Sequence, residues 1–316
     1  MKVNVLLTNR FGPDDLGEVK LGNCICAVID TIRATSTIAS MLGGGGESVI
    51  IAADKKQAFE LKALFKDHLL CGEVGGLAPK GFDCGNSPVE ISNLGIKVKN
   101  FILMTTNGTQ SIFKVSGCAE VFALSILNIN HVLDCMIESA LEKNCDILLL
   151  CSGEKGKIAY DDAYTAGLAV KYLLTRPFAF EFSDSAKIVL SASLSEISIP
   201  DALEKSTSAR SLRAASPVSS GEDIAYVSSP NRFNVAPVVS KERIKSLPAL
   251  KTYLKKSDNK AMLATGITLD KVDRNVTQQT LFNCGTGIKK VPAGKTFVFV
   301  LRDKKPKLFS GFHKVC

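Results

Sequence analysis

Cys24-Ile25-Cys26-Ala27-Val28-Ile29-Asp30-Thr31-Ile32-Arg33-Ala34-Thr35-Ser36-Thr37 reads as a strand, a polar loop and the start of a helix. Six consecutive apolar residues suit a strand covered on both faces, because a strand with one wet face would alternate. Asp30 ends the run, and the apolar residues of 34–42 then recur at helical spacing. Outward from this unit the same order repeats. Apolar runs at 3–7, 49–52, 101–104, 121–124 and 147–151 are interleaved with helix-period segments at 55–65, 108–115, 130–143 and 160–174. Strands alternating with helices predict an α/β fold, a three-layer α/β/α sandwich with a largely parallel or mixed sheet. Ligands of such sheets collect beyond the C-terminal ends of strands. Asp30, Thr105 and Ser152 each stand just past an apolar run.

Four segments carry the chemistry. In the first, Asp30 at a strand mouth suits a divalent-cation ligand or a nucleophile, and equally an N-cap for the following helix. Arg33 offers a planar fork to an anion, and Thr35, Ser36 and Thr37 offer hydroxyl and N–H groups at a helix start. In the second, residues 71–88 pack five glycines around Glu73, Asp83 and Gly85-Asn86-Ser87-Pro88. Glycine allows positive φ and close backbone approach, so such a loop can wrap a ligand, although Gly-Asn-Ser-Pro also reads as a plain turn. The third, Thr105-Thr106-Asn107-Gly108-Thr109, makes a phosphate cradle or a helix cap. The fourth is Cys151-Ser152-Gly153-Glu154-Lys155-Gly156-Lys157, followed by Asp161-Asp162. A cysteine-dependent phosphatase would need arginine where Lys157 stands, so this loop is read as support for the anion site. Of the acid pair, Asp162 is the favoured functional member; both also suit a helix N-terminus. Mg²⁺ takes only one or two protein carboxylates directly, so not all of Asp30, Glu73, Asp83, Asp161 and Asp162 can ligate one ion. No Walker pattern is present, because Gly43-Gly44-Gly45-Gly46 is not followed by lysine.

In this order the four segments resemble the 2-phosphosulfolactate phosphatase family, whose pattern runs Asp-x-x-Arg-Ala-Thr-Ser-Thr, Gly-Glu-Arg, Gly-Phe-Asp-x-Gly-Asn-Ser-Pro, Thr-Thr-Asn-Gly-Thr, and an acidic pair before Ala-Gly. The resemblance runs from about Asp30 to Asp162, and more weakly to Pro237. Val74 departs from it where the pattern has arginine, and Asp161 where it has glutamate. What it implies is Mg²⁺-dependent hydrolysis of a small phosphate monoester, 2-phospho-3-sulfolactate, to 3-sulfolactate and phosphate. The implied catalytic residues are Asp30, Arg33, Glu73 and Asp162, and the implied metal ligands Asp30, Glu73, Asp83 and Asp162. Thr35, Ser36, Thr37, Gly85, Asn86, Ser87, Thr106, Asn107, Gly108, Thr109 and Gly153 are the implied substrate contacts. The two departures leave open an alternative, a diverged anion-binding or regulatory protein without turnover, whose basic tail recruits an acidic partner.

Bulk properties fit a cytoplasmic protein with a full core. Of the 316 residues 46% are hydrophobic, yet no apolar run reaches the roughly 20 residues that span a bilayer. The ten cysteines lack zinc-knuckle or redox spacing and are expected as reduced thiols, and the three histidines form no ligand pattern. Charge is uneven. Residues 246–316 hold 14 Lys and Arg against 4 Asp and Glu, a surplus of ten in a chain whose net charge is +8, so residues 1–245 net −2. The expected division is a phosphatase-like domain, 1–245, with a helix near 201–213 and a last core strand at 235–239. A basic extension follows at 246–316, a small β-rich appendage with a hairpin of 296–301 and 308–312. A chain stopped near residue 250 is expected to keep its core. The expected partner is the phosphate ester, with neither membrane nor nucleic acid, and the extension is open to a contact in a homo-oligomer.

Overall fold

The computed structural model describes residues 1–94, 98–239 and 297–302. Its strands are β1 (Lys2–Leu6), β2 (Cys24–Ile29), β3 (Ser48–Ile51), β4 (Leu69–Gly72), β5 (Asn100–Met104), β6 (Glu120–Leu124), β7 (Asp146–Cys151), β8 (Glu181–Phe182), β9 (Pro237–Val239) and β10 (Phe297–Leu301). Its α-helices are α1 (Pro13–Leu16), α2 (Ala34–Gly43), α3 (Lys55–Leu64), α4 (Pro88–Asn93), α5 (Gly108–Lys114), α6 (Ile129–Lys143), α7 (Tyr160–Leu174), α8 (Asp184–Leu194), α9 (Ile199–Glu204), α10 (Thr207–Ala215) and α11 (Ser220–Val227).

The strands form one mixed sheet in the order β4-β5-β3-β10-β9-β6-β2-β7-β1-β8. Two parallel blocks, β4-β5-β3 and β6-β2-β7-β1-β8, flank β10 and β9. The three pairings in between, β3 with β10, β10 with β9 and β9 with β6, are all antiparallel, so the blocks run in opposite senses. All six residues of β2 are buried, as the unbroken apolar run predicts. Its alternate residues feed different cores. Cys24, Cys26 and Val28 join α2 and α5 in a cluster with β3, β4, β5, β9 and β10. Ile25, Ala27 and Ile29 face α6 and α7. The block β4-β5-β3 is covered on its other side by α3. The result is three layers, α/β/α.

Register sets the site. Ile29 pairs with Leu124 and Cys151, which aligns the mouths of β2, β6 and β7. In the other block Gly72 pairs with Met104, which puts Glu73 beside Thr105. Helices α2 and α5 bridge the two mouths. A Cβ on Gly108, at the start of α5, would lie 2.6 Å from the Ala34 Cβ and 2.8 Å from Asp30 Oδ2, so only glycine permits this approach.

Three sequence expectations change. The segment expected as one helix at 201–213 is two, α9 and α10, and Ser206 caps the second by accepting from the Ala209 N–H. Strand β4 was missed because four residues give no periodicity. The run at 296–301, expected in an appendage, is the inner strand β10. Phe299 pairs with Val49 on one side and Val239 on the other, and its ring is fully buried. The hairpin partner expected at 308–312 lies outside the described residues. No helix among the described residues is long and apolar enough to cross a membrane. The eight described cysteines are buried free thiols.

Candidate active site

The loop after β2 is held from within. The Asp30 carbonyl accepts from the Thr35 N–H (3.0 Å) and from the Thr35 hydroxyl (2.9 Å). Ser36 Oγ donates to the Thr31 carbonyl, and Thr37 Oγ1 donates to the carbonyls of Arg33 and Asn86. These three hydroxyls are fully buried and tie the loop together. They do not line the cleft, which corrects their assignment as substrate contacts. Local Ser/Thr-to-carbonyl bonds satisfy the backbone of a tight loop that no sheet ladder reaches.

The cleft that opens past the strand mouths is about 560 Å³. At its floor stand three buried carboxylates, Asp30, Asp161 and Asp162. Asp30 Oδ1 accepts from the Ala34 N–H at 3.0 Å. Asp162 Oδ1 accepts from the Thr31 N–H and Oδ2 from the Gly153 N–H, each at 2.9 Å. Asp161 Oδ2 accepts from the Ile32 N–H at 3.2 Å, and Oδ1 from the Ser208 hydroxyl at 2.8 Å. The acid pair opens α7 while gripping the loop of β2, about 130 residues away. Burial pushes the Asp30 carboxyl up to about 7 against the pull of the Ala34 N–H, with Asp161 and Glu73 adding to the rise. Asp161 rises to about 6, again through burial, and the Ser208 hydroxyl opposes the shift. Asp162 is pushed well above the ordinary carboxyl range by burial, then by the charges of Asp161 and Asp30. Three acids crowded out of water resist simultaneous ionisation.

Arg33 faces the same cleft, but its guanidinium is engaged. Nη1 donates to Asp223 Oδ2 at 2.7 Å, and Nη2 donates to the Gly76 carbonyl at 2.9 Å. Asp223 is buried in the first turn of α11 and also accepts from Ser87 Oγ at 2.6 Å. Glu73 braces the opposite wall, its Oε1 accepting from the Thr106 N–H (2.7 Å) and its Oε2 from the Gly76 N–H (2.9 Å). Asn86, Thr106, Asn107 and Gly153 line the cleft with it. Asn86 is buried, and its side-chain oxygen has no hydrogen-bond partner.

The other assigned residues lie elsewhere. Asp83 is exposed, its carboxylate accepting from the Leu70 N–H and pairing with Lys62 at 2.9 Å, which removes it from the metal set. Gly85 donates its N–H to Glu90, and Ser87 caps α4, so neither lines the cleft. Thr109 is a helix-start tie, its hydroxyl donating to the Thr105 carbonyl. Gly108 acts by its lack of a side chain beside Asp30. Cys151 is fully buried in β7 and its thiol is held well above the usual range, which agrees with setting cysteine chemistry aside. Sequence reasoning missed Asp223, which had no local signal, and ranked Asp161 below Asp162 although both are buried at the cleft floor. Among the described residues, no three His, Cys, Asp or Glu side chains converge as a group able to hold a metal ion.

A family model described as 2-phosphosulpholactate phosphatase matches residues 11–242. The chain belongs to that family. The residues lining the cleft, from Asp30 to Ala215, all fall inside the matched span, whereas β1 and β10 fall outside it. The chain is similar to a protein named "Probable 2-phosphosulfolactate phosphatase" from Pseudothermotoga lettingae, 40% identical over 146 residues, or 46% of this chain and 61% of that one. A protein of the same name from Carboxydothermus hydrogenoformans is 36% identical over 188 residues, 60% of this chain and 74% of that one. One from Thermotoga maritima is 41% identical over 146 residues, 46% and 61% of the two chains. The similarity thus spans about three fifths of the length of two of these relatives. Within the family pattern this chain keeps Glu73 and carries Val74 beside it, exposed on the cleft wall.

Proposed function

We propose that the protein is a phosphoric monoester hydrolase that removes phosphate from 2-phospho-3-sulfolactate with Mg²⁺ as cofactor. The observation that carries this reading is the set of three buried carboxylates, Asp30, Asp161 and Asp162, at the floor of a cleft whose lining also includes Asn86, Thr105, Thr106, Asn107 and Gly153. Their donor chemistry, all carboxylate oxygen, suits a hard divalent cation, and their raised proton affinities are what such a charge would relieve. Asp30 is the most apt ligand, because its Oδ2 carries no hydrogen bond among the described residues. Asp161 and Asp162, whose four oxygens already accept hydrogen bonds, would act on the ion through water, in keeping with the lack of a converged three-ligand group among the described residues. When bound, the ion neutralises phosphoryl charge and polarises the ester.

The chain's own residues do the rest. Asn86 lines the cleft, and its side-chain NH₂ can donate to a phosphoryl oxygen there. Asp30 attacks phosphorus directly or takes the proton of an attacking water. Either way the P–O ester bond breaks, its electrons stay on the alkoxide oxygen, and that oxygen takes up a proton from water; on the first route a second water then hydrolyses the phosphoaspartate, releasing phosphate and restoring Asp30. Trapping of a phosphoenzyme separates the two routes.

The test is phosphate release over a panel of phosphorylated hydroxy acids, with Mg²⁺ and with chelator. Turnover of 2-phospho-3-sulfolactate that needs Mg²⁺ and falls by orders of magnitude in Asp30→Asn is expected. The second reading, anion binding without turnover, is favoured by Val74 on the wall where the family pattern has arginine. It would be established by tight binding of 3-sulfolactate with no phosphate released from any ester.

A further inference from the structure

The cleft is short of positive charge. Five carboxylate residues line it, Asp30, Glu73, Glu154, Asp161 and Asp162, against two cationic ones, Arg33 and Lys155. Arg33 is committed to Asp223 and Gly76. Lys155 has no hydrogen bond or ion pair among the described residues. Its neighbour Glu154 makes no ion pair with it, and Glu154 Oε1 accepts from the Ser211 hydroxyl of α10 at 2.7 Å.

Two tight turns face into this space. Residues 74–77 close through Val74 and Leu77, with Gly75 and Gly76 at φ +63° and +88°. Residues 154–157 close through Glu154 and Lys157 by two backbone bonds of 3.0 and 2.9 Å, with Lys155 and Gly156 at φ +51° and +77°. Two central residues at positive φ are the mark of the type I′ turn, where Asn-Gly or Gly-Gly is the comfortable choice. The first turn follows that preference, and its two central residues, Gly75 and Gly76, present only backbone to the cleft. The second places a lysine where a long side chain is disfavoured. That turn is also anchored at its base, since the Gly153 N–H donates to Asp162. The backbone under Lys155 is therefore fixed relative to the carboxylates, while its ammonium is uncommitted.

We propose that Lys155 is the specificity-determining residue, binding the non-reacting anion of the substrate, the sulfonate, while phosphate lies over Asp30. This rests on the hydrolase reading for the identity of the substrate, although not for the binding itself. A phosphate ester with a second strong anion needs a second cation, and an uncommitted ammonium on a rigid turn supplies one without disturbing the Arg33–Asp223 pair.

The test is calorimetric titration of 3-sulfolactate and of lactate into the full chain and into Lys155→Met and Lys155→Arg, in saturating Mg²⁺. A charge-assisted contact predicts roughly 10- to 100-fold weaker 3-sulfolactate binding in Lys155→Met. Lactate should lose much less, and Lys155→Arg should recover most of the difference. With active enzyme, the ratio of kcat/KM for 2-phospho-3-sulfolactate over 2-phospholactate should fall by the same factor. Equal losses for both ligands, unchanged 3-sulfolactate affinity, or no 3-sulfolactate binding by the unaltered protein would overturn the proposal. Failure of the unaltered protein to release phosphate would count against the hydrolase reading alone, because the titration needs no turnover.

Discussion

Ending the chain after Leu250 should abolish the native fold. That perturbation leaves residues 1–245 whole but deletes β10, which the structure seats between β3 and β9. Four of its side chains, Phe297, Val298, Phe299 and Val300, are at most 2% exposed. Burying an aliphatic or aromatic side chain contributes about 1.5–3 kcal/mol, so the four together contribute about 6–12 kcal/mol as an upper bound. A domain's entire stability is typically about 5–15 kcal/mol. Arg302, which also goes, forms a bond from its N–H to the Ala236 carbonyl (3.1 Å) and reaches Ser139 and Glu138 on α6. The cut further bares both ladder edges in the middle of the sheet, a template for aggregation. The assay is urea-induced unfolding followed by circular dichroism, with size-exclusion chromatography of the same samples. The shortened chain should be aggregated or lack a cooperative transition, and Phe299→Ala in the full chain should lose about 3–5 kcal/mol. A monomeric shortened protein that unfolds cooperatively at the full chain's midpoint would refute the reasoning and restore the division at 245.

Stability without divalent cation should fall as pH rises. Asp30 and Asp161 bind protons more tightly in the folded chain, near 7 and 6, than an unfolded carboxyl does, so the native state holds more protons between about pH 4 and 7 and loses that advantage on titrating through its own values. Melting temperature should therefore drop from pH 5 to pH 8, and a flat profile would mean the carboxylates are less crowded than the structure has them. Gly108→Ala should destabilise the protein by about 1–3 kcal/mol despite alanine's better helix propensity, since its Cβ meets Ala34 and Asp30; a melt at or above that of the unaltered chain would contradict this. Asp223→Ala strands the Arg33 guanidinium and should cost about 3–5 kcal/mol in unfolding free energy along with most of the turnover, whereas an effect on neither would show that Arg33 has another partner.

Much of this protein is local in origin. The buried run of β2 and the helix-spaced segments after it announce an α/β chain because periodicity and burial of both strand faces are properties of short windows. Asp30, Glu73 and the acid pair before α7 could be singled out because strand mouths collect ligands. Other features exist only between distant segments. Arg33 could be read as an anion fork until Asp223, 190 positions later, took its Nη1. Thr35, Ser36 and Thr37 could be read as phosphate donors until their hydroxyls turned to the loop's own carbonyls, and Asp83 as a metal ligand until Lys62 claimed it. The basic composition of 246–316 suggested a separate piece, because charge counting cannot register which face of which strand a five-residue apolar run will pair with. Strand pairing is a choice among all available edges, made by the whole sheet at once. That choice put β10 between β3 and β9 in a sheet whose two mouths meet across α2 and α5 at one cleft.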